Sequence, residues 1–397
     1  MRSSPGPPAG GNDGRHGCPE MPNRGATDCA GVDSGMEPVC HSPPAFAAIG
    51  VLPRKLGSMP VIPSASSEID KVRPHDVADA IACRNDRPVT GVPADLPRPK
   101  VVVWFLVALI VIHTVALGAL LPYAFVWWGV PLVLLGNFIF GSLGINLGFH
   151  RMLTHKAVAF PRMLERLWVL CGVCCLEGSP LWWACVHRIH HQHSDARADP
   201  HSPKESFFWG HMQWIYIADP RQHSLATYAK YVPDLANDPF LRWLHRRHTW
   251  AVVYAAHAVL IAAIGFGIGA LVTDTTAAAV RFGTQVFVWG VLVRTVYVWH
   301  VTWLVNSAAH RWGYRNYDTA DRSRNNVVVA LLTNGEGWHN NHHATPRACS
   351  QGHRWWEIDL TFTAVRLMQL IGLARDVIPV QAVTRAAARG TRNEPER

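Results

Sequence analysis

The sequence predicts an all-α membrane protein in which four transmembrane helices form two hairpins below a cytoplasmic helical cap. Hydrophobic residues make up 49% of the 397-residue chain and charged residues only 16%, whereas an ordinary soluble domain carries about 25% charged residues. Four apolar segments are also long enough to cross a bilayer, which takes about 20 residues in a helix. Together these observations exclude a plain soluble enzyme.

The chain is expected to fall into three parts. Residues 1–97 contain Pro- and Gly-rich strings such as PGPPAGG and no apolar periodicity, which predicts a disordered N-terminal extension. The alternative is an overextended start site, with Met59 as one candidate for the true start. Residues 98–380 are the expected membrane domain, and residues 381–397 are an expected polar C-terminal tail.

The four apolar segments are the predicted membrane spans, and short turns join them pairwise into hairpins. A fifth apolar segment, Leu167 to Val186, is interrupted by the string EGSP at 177–180. Because a fifth crossing would break the hairpin topology, we expect this segment at the membrane surface or packed inside the cap. The predicted spans are Val101 to Leu121, Ala124 to Ile145, Trp250 to Val272 and Phe282 to Val305.

Basic residues indicate how these spans are oriented. Twelve Lys and Arg residues lie between positions 147 and 249, whereas the turns near 121–124 and 273–280 contain none. Loops rich in Lys and Arg stay in the cytoplasm, so the large loop and both termini are expected there. The net charge of +9 is therefore assigned to membrane topology, and no nucleic-acid partner is expected.

Some cysteine, arginine and histidine residues can be explained either by a structural role or by a functional one. The nine cysteines are odd in number and scattered, which implies no disulfide framework. The CGVCC string at 171–175 has no second cysteine pair to complete a zinc site, so we interpret it as buried cysteine. Arg294 and His300 lie inside the last span, where an ionisable residue is a functional candidate, although an arginine there can also snorkel to the headgroups.

The histidines form three clusters and one single position, all on the inferred cytoplasmic side. In the second and third clusters the spacing is H-x2-H-H, and positions i, i+3 and i+4 share one face of a helix. Ser179 and Pro180 are typical of a helix start and predict one helix through the second cluster. His150 and His155 are five apart, about 140° around an α-helix, so they can share an ion only if the helix bends or ends between them.

Nine histidines in this arrangement point to metal binding and suffice for two ions. Imidazole suits zinc, copper, iron and nickel; the membrane location and the all-nitrogen ligand set favour iron that activates dioxygen, with zinc as the alternative. His193, His201, His211 and His300 lie nearby but fall outside the pattern. The candidate metal ligands are His150, His155, His187, His190, His191, His310, His339, His342 and His343, with Asn306 one turn before His310.

Four strings resemble the integral-membrane fatty acid desaturases, whose best-known member is stearoyl-CoA desaturase. The resemblance covers residues 101–379, with spans and motifs in the same order. The GEGWHNNHH form and the WWEIDLT string at 355–361 are most similar to the Δ9 branch found in bacteria, cyanobacteria and plants. The strings are GFHRMLTH at 148–155, SPLWWACVHRIHHQHSDARADPH at 179–201, TWLVNSAAHRWGYR at 302–315 and NGEGWHNNHHATP at 334–346.

The resemblance implies a cytoplasmic cap with two iron ions held by the nine histidines, and Asn306 joining through a water. It also implies that dioxygen and two external electrons are consumed while a cis double bond, Δ9 by this branch, enters a saturated acyl chain, and that the enzyme lies in a bacterial inner membrane. One iron would take His150, His155, His187, His191 and one histidine of the last cluster; the other would take His190, His310 and the rest.

Carboxylates near the clusters are candidate partners of the ligands, because a ligating imidazole usually donates its other N–H to a carboxylate or a carbonyl. The alternative for each is an ordinary solvated acid. The candidates are Glu177, Asp195, Asp199, Asp321 and Glu336.

The acyl carrier and the electron donor stay open at this point. Cys185 and Val186 stand where the animal acyl-CoA enzymes carry an Arg-Asp pair that helps to hold CoA, so acyl-CoA, an acyl lipid and an acyl carrier protein are all alternatives. The chain shows no heme motif of the cytochrome b5 type and no ferredoxin-type cysteine spacing, so a separate donor is expected, either a ferredoxin or a cytochrome b5/flavin reductase system. A membrane di-iron hydroxylase or ketolase is the alternative function, and a zinc-dependent hydrolase or a metal transporter ranks behind it.

Overall fold

The computed structural model describes residues 100–219 and 225–384. The expected disordered extension at 1–97 lies outside the described residues, as does the expected tail from residue 385 onward. The described chain is mostly helical. Its strands form one small antiparallel sheet in which Lys100 pairs with Ala218.

The helices and strands have the following bounds. The described residues contain two π-helical stretches: Asn137–Thr154 continues the helix Gly129–Gly136, and Val288–Val293 joins the helices Thr276–Phe287 and Arg294–Ser307. The 3-10 turns are Leu117–Leu120, Gln213–Ile215, Arg246–His248 and Ala308–His310. The strands are β1 (Lys100–Val101) and β2 (Ile217–Ala218). The α-helices are α1 (Val103–Ala116), α2 (Gly129–Gly136), α3 (Arg162–Val173), α4 (Pro180–His193), α5 (Phe207–His211), α6 (Leu225–Tyr231), α7 (Pro233–Ala236), α8 (Pro239–His245), α9 (Thr249–Val272), α10 (Thr276–Phe287), α11 (Arg294–Ser307), α12 (Val327–Leu332), α13 (His339–Ala344) and α14 (Leu360–Leu370).

Four helical runs among the described residues are long and apolar enough to cross a membrane, in the order predicted. Only 11% of the most apolar window is buried in the first and third spans, against 44% in the second and fourth. The first and third spans therefore turn most of their side chains outward, while the second and fourth carry more of the internal packing. The spans are Val103–Leu120, Gly129–Thr154, Pro239–Val272 and Thr276–His310.

The interrupted apolar segment at 167–186 is not among these spans. It comprises the end of α3 and the beginning of α4, where Val169, Val173 and Leu181 are buried in the main hydrophobic core. A Cβ built on Gly144 would lie 2.3 Å from the backbone nitrogen of Gly172, so α3 touches the π-helical stretch because both positions lack a side chain. Of the two expected placements, packing inside the domain is the one observed.

The two ionisable residues of the fourth span are both paired inside the protein. Arg294 is fully buried, and its Nη1 donates to the carbonyl of Cys174 at 2.9 Å. Snorkelling to the headgroups was therefore the wrong alternative, since the guanidinium fastens this span to the loop after α3. His300 lies between His113, at 3.2 Å, and His211, at 3.0 Å.

The cysteines of the CGVCC string are buried and free, which confirms the plain interpretation. None of them belongs to a group of possible metal ligands within the described part of the chain. Burial raises the pKa of Cys171 to about 11 and that of Cys174 to about 12, so both are thiols at neutral pH.

Candidate metal centre

Helix α4 presents three histidines at the boundary between two clusters. The side chain of Ser179 accepts a hydrogen bond from the backbone N–H of Trp182 at 3.2 Å, which confirms the predicted helix start. The three imidazoles do not share one ion in this arrangement. His187 and His191 lie in one cluster, and His190 lies in the other.

The π-helical stretch explains how His150 and His155 come together. The backbone N–H of His155 donates to the carbonyl of His150 at 3.1 Å, and such an i to i+5 bond is the mark of a π-helix. Widening the turn brings residues five apart closer to one face, so the two ring centroids are 4.7 Å apart. The condition that the sequence set for this pair, a departure from α-helical geometry, is met.

Five histidines form the first cluster, with one ring nitrogen of each within 4.8 Å of the others. The Nε2 atoms of His342 and His191 are 2.9 Å apart, and those of His342 and His150 are 3.1 Å apart. The Nε2 atoms of His187 and His191 are separated by 3.0 Å. His155 completes the cluster.

Four histidines form the second cluster under the same criterion. His339 and His343 lie one turn apart on α13, with 3.0 Å between their Nε2 atoms. The Nε2 of His310, which ends the fourth span, is 3.0 Å from that of His339. His190 approaches from α4, with its Nε2 3.3 Å from that of His343.

Four of the five candidate carboxylates contact the Nδ1 atom of a clustered histidine. An Nδ1–H that donates to a carboxylate fixes the tautomer and leaves the Nε2 lone pair free for a metal ion. The pairs are His190 with Asp199 at 3.0 Å, His310 with Asp195 at 3.0 Å, His343 with Asp321 at 2.7 Å and His150 with Glu336 at 2.6 Å.

Glu336 also belongs to a buried ion network that the sequence did not indicate. Arg151 is 1% exposed and donates to Glu336 at 2.7 Å and to both carboxylate oxygens of Asp359 at 2.9 and 3.0 Å. Burial would raise the pKa of Glu336, but Arg151 and His150 outweigh burial and lower this pKa to about 2. The only sequence signal for this network is that Arg151 follows a clustered histidine within the GFHRMLTH string.

The protonation of the first cluster favours metal binding. Burial lowers the pKa of His187, His191 and His342 well below its usual value, and neighbouring imidazoles lower it further. These rings are therefore neutral at physiological pH, as a metal ligand must be. Burial opposes ionisation of Asp199 and Asp321, yet the paired imidazoles keep both carboxyl pKa values below the usual range.

Glu177 and Asn306 lie on the wall of a neighbouring cavity. The Oε2 of Glu177 accepts a hydrogen bond from Trp183 Nε1 at 3.1 Å, and the Trp183 ring stacks on His187 with 5.0 Å between centroids. Burial raises the pKa of Glu177 to about 7. Asn306 is half-buried and lines the same cavity as His339.

His201 is a possible ligand that the spacing argument left out. Its ring centroid is 4.3 Å from that of His190, and its backbone N–H donates to Asp199 at 3.1 Å. These three residues form a further group that could hold a metal ion. Because His201 follows Asp199 by two positions, the ADPH string was the available signal.

The donor set fits two metal ions. A structural zinc site takes four ligands, whereas here five and four nitrogens converge on two separate points. The Nε2 of His155 is buried and has no hydrogen-bond partner among the described residues, which is costly for a polar atom that binds nothing. Imidazole ligands suit iron, zinc, copper and nickel alike.

A cavity of about 610 Å³ lies beside both clusters. Its lining includes His150, His187 and His339. Most of its wall is apolar, including Leu109 and Val298. A space of this size is typical of a small-molecule site, and its apolar wall suits a hydrocarbon chain.

The profile of the family described as Fatty acid desaturase matches residues 125–369. The chain belongs to this family. Membership confirms the resemblance drawn from the histidine strings. The protein is therefore an oxidoreductase that desaturates fatty acyl chains. Its four apolar helices indicate a membrane protein.

Curated relatives of this desaturase differ in the acyl carrier that their names give. It is 42% identical over 266 residues to the sn-1 stearoyl-lipid 9-desaturase of Anabaena variabilis, covering 67% of this chain and 90% of the relative. It is 40% identical over 272 residues to the sn-2 palmitoyl-lipid 9-desaturase of Nostoc sp. (strain 36), covering 68% and 89%. An acyl-CoA 5-desaturase of Anemone leveillei is 37% identical over 266 residues, covering 67% and 76%.

Proposed function

We propose that this desaturase inserts a cis double bond at the Δ9 position of a saturated acyl chain, either lipid-linked or on CoA, with dioxygen and two electrons from a separate donor. The apolar cavity that lies beside the two histidine clusters carries this proposal. The names of the cyanobacterial relatives, which are 9-desaturases acting on stearoyl and palmitoyl lipids, support the position of the double bond.

The cofactor proposed for the clusters is a pair of iron ions. His150, His155, His187, His191 and His342 would hold one ion, and His190, His310, His339 and His343 the other, with Asn306 joining through a water. When bound, the two irons would activate dioxygen and so supply the oxidising power that an unactivated C–H bond requires. Side chains alone offer no acid, base or nucleophile that could do this.

The protein's own groups position the substrate and the ligands. Asp195, Asp199 and Asp321 accept from the Nδ1 atoms of the second cluster and so hold three Nε2 atoms toward one point. The apolar wall excludes water and keeps the acyl chain extended toward the clusters. Trp183 stacks on His187 and lines the cavity beside the first cluster.

For the membrane we propose two hairpins with the cap and both termini in the cytoplasm of a bacterial inner-membrane protein. Core contacts support the pairing: Ala119 and Val133 share one hydrophobic cluster, and a Cβ on Gly269 would lie 2.7 Å from the carbonyl oxygen of Ala279. The Lys and Arg residues of the loop at 147–249 support the orientation.

The proposed electron donor is a small redox protein, either a ferredoxin or a cytochrome b5 with its flavin reductase. The basic loop would suit an acidic donor, because opposite charges speed encounter between proteins. No nucleic-acid partner is proposed.

The function is tested by expressing the full chain in a host that lacks its own Δ9 desaturase and profiling its fatty acids by mass spectrometry. We expect a new cis-Δ9 monounsaturated acid that disappears in a His190→Ala variant. A His193→Gln variant, changed on the same helix but outside the clusters, is the matched control and should keep the product. A hydroxylated acid in place of the olefin would instead indicate a hydroxylase, and an unchanged profile with iron bound would contradict the proposal.

A further inference from the structure

The exposed part of the cavity lining carries a positive charge. Of the described residues that line the cavity, those that are exposed are Trp104, Arg247 and His248. The rings of Trp104 and His248 are 5.2 Å apart and meet edge to face. We call these three residues the cavity mouth.

The charge at the cavity mouth is the guanidinium of Arg247. Two acidic residues line the cavity among the described residues, Glu177 and Glu336, and both are engaged elsewhere: the first accepts from Trp183 and the second pairs with Arg151. The lining of the cavity therefore combines an exposed cation, an apolar wall and histidines of both clusters. Such a polarity matches a ligand with an anionic head and a long hydrocarbon tail.

The position of the cavity mouth places that head at the membrane surface. Trp104 is the second residue of α1, and Arg247 and His248 directly precede α9. Helix α1 begins the first span, α9 forms residues 249–272 of the third, and tryptophan is enriched at the membrane–water interface. A chain that enters here leaves its polar end at the level of the lipid headgroups.

The guanidinium group of Arg247 selects among anionic heads. Its planar fork of N–H donors matches the oxygens of a phosphate and binds them in pairs. We propose that Arg247 and His248 form a phosphate-recognition site that holds the headgroup of a phospholipid while its acyl chain fills the cavity. This inference rests on the proposed function and assigns the acyl carrier of the same reaction.

The experiment measures equilibrium binding of two radiolabelled lipids to the purified full chain in detergent micelles. The probes are 1-stearoyl-lysophosphatidylglycerol and 1-monostearoylglycerol, which share the acyl chain and differ in the phosphate-bearing headgroup. We expect Arg247→Glu to raise the dissociation constant of the phospholipid by about tenfold, because a charge-assisted contact becomes a repulsion. The dissociation constant of the uncharged lipid should change by less than about twofold, which also shows that the cavity is intact.

Two matched variants make the result specific. Arg247→Lys keeps the charge but loses the fork, and it should weaken phospholipid binding by about threefold. Arg242→Glu reverses an exposed charge on α8 that does not line the cavity, and it should bind both lipids like the original chain. An Arg247→Glu variant that binds both lipids unchanged, or loses both equally, would overturn the proposal.

A third probe separates the two sources of a phosphate group. Stearoyl-CoA also bears phosphate groups, but they would reach the site from the aqueous phase. If Arg247→Glu changed the dissociation constant of stearoyl-CoA alone, the phospholipid assignment would be overturned. The formation of monounsaturated product distinguishes failure of the proposed function from failure of this inference. If the original chain forms no monounsaturated acid, the function fails whatever the binding, whereas product formation with headgroup-independent binding removes only this inference.

Discussion

The two histidine clusters have similar numbers of nitrogens but different surroundings. In the second cluster three of the four imidazoles contact a carboxylate through Nδ1. In the first cluster His150 is the one histidine that forms such an ion pair with a described residue, and its partner Glu336 is shared with Arg151. The second cluster is therefore the more negative environment, which favours a highly charged metal ion, while the first depends on a network that also holds the fold together.

This contrast shows that the spacing of the histidines in the sequence does not reveal which residues surround and support each cluster. His339 and His342 are three positions apart on α13, yet they belong to different clusters. The neighbours that distinguish their surroundings come from distant parts of the chain, as Asp195 and Arg151 do.

The largest expected effect comes from replacing two histidines on one turn of α13, one from each cluster. His339→Ala removes a ligand of the second cluster and His342→Ala a ligand of the first, so each variant should fall to background in desaturation. Each should keep about one of about two irons per chain, because the clusters are separate donor sets. Iron is measured by mass spectrometry of the purified proteins, with His193→Gln as the control. Loss of both irons in both variants would show that the clusters are one cooperative site.

The next prediction compares the ion network beside the first cluster with the carboxylates that contact the second. Arg151→Met leaves Glu336 and Asp359 buried without their cation and should lower the free energy of unfolding by about 3–5 kcal/mol. Asp199→Asn should leave the thermal unfolding midpoint of the metal-free protein nearly unchanged but weaken the second site by about 10- to 100-fold. Calorimetry and competition with a metal chelator measure the two quantities. If both variants unfolded alike and bound iron alike, the distinction between the clusters would be wrong.

The smallest effect concerns pH and the first cluster. The pKa of Glu177, behind Trp183 and His187, is raised from 4.5 to about 7, so the folded state keeps a proton that the unfolded chain releases above pH 4.5. Stability is then greatest below pH 4.5 and falls as the pH rises to about 7, by at most about 3 kcal/mol. Glu177→Gln should remove this component. Unfolding midpoints at pH 5 and pH 8 test it, and Glu205→Gln, an exposed acid, should behave like the original chain.

Much of the fold followed from local sequence. The length of the apolar segments predicts the four spans, because backbone N–H and C=O groups in hydrocarbon must be hydrogen-bonded within a helix. Ser179 starts α4 because its hydroxyl accepts a hydrogen bond from a backbone N–H of the first turn. Three features escaped the sequence: the burial of Arg294, the network of Arg151 and the position of His201. The two arginines depend on partners far along the chain, such as the Cys174 carbonyl for Arg294, whereas His201 lies close in sequence to its neighbours Asp199 and His190.

The sequence by itself determined the helical membrane fold, the family and the set of nine clustered histidines, because span length, helix starts and ligand spacing are all local properties. The resemblance also implied how those histidines divide between two sites, but it left open which histidine of the last cluster joins the first site, and the tertiary structure places His342 there. A π-helical turn brings His150 to His155, and α13 directs its histidines to both sides. The cationic mouth of the cavity likewise exists only in three dimensions, since Trp104 and Arg247 come from different spans.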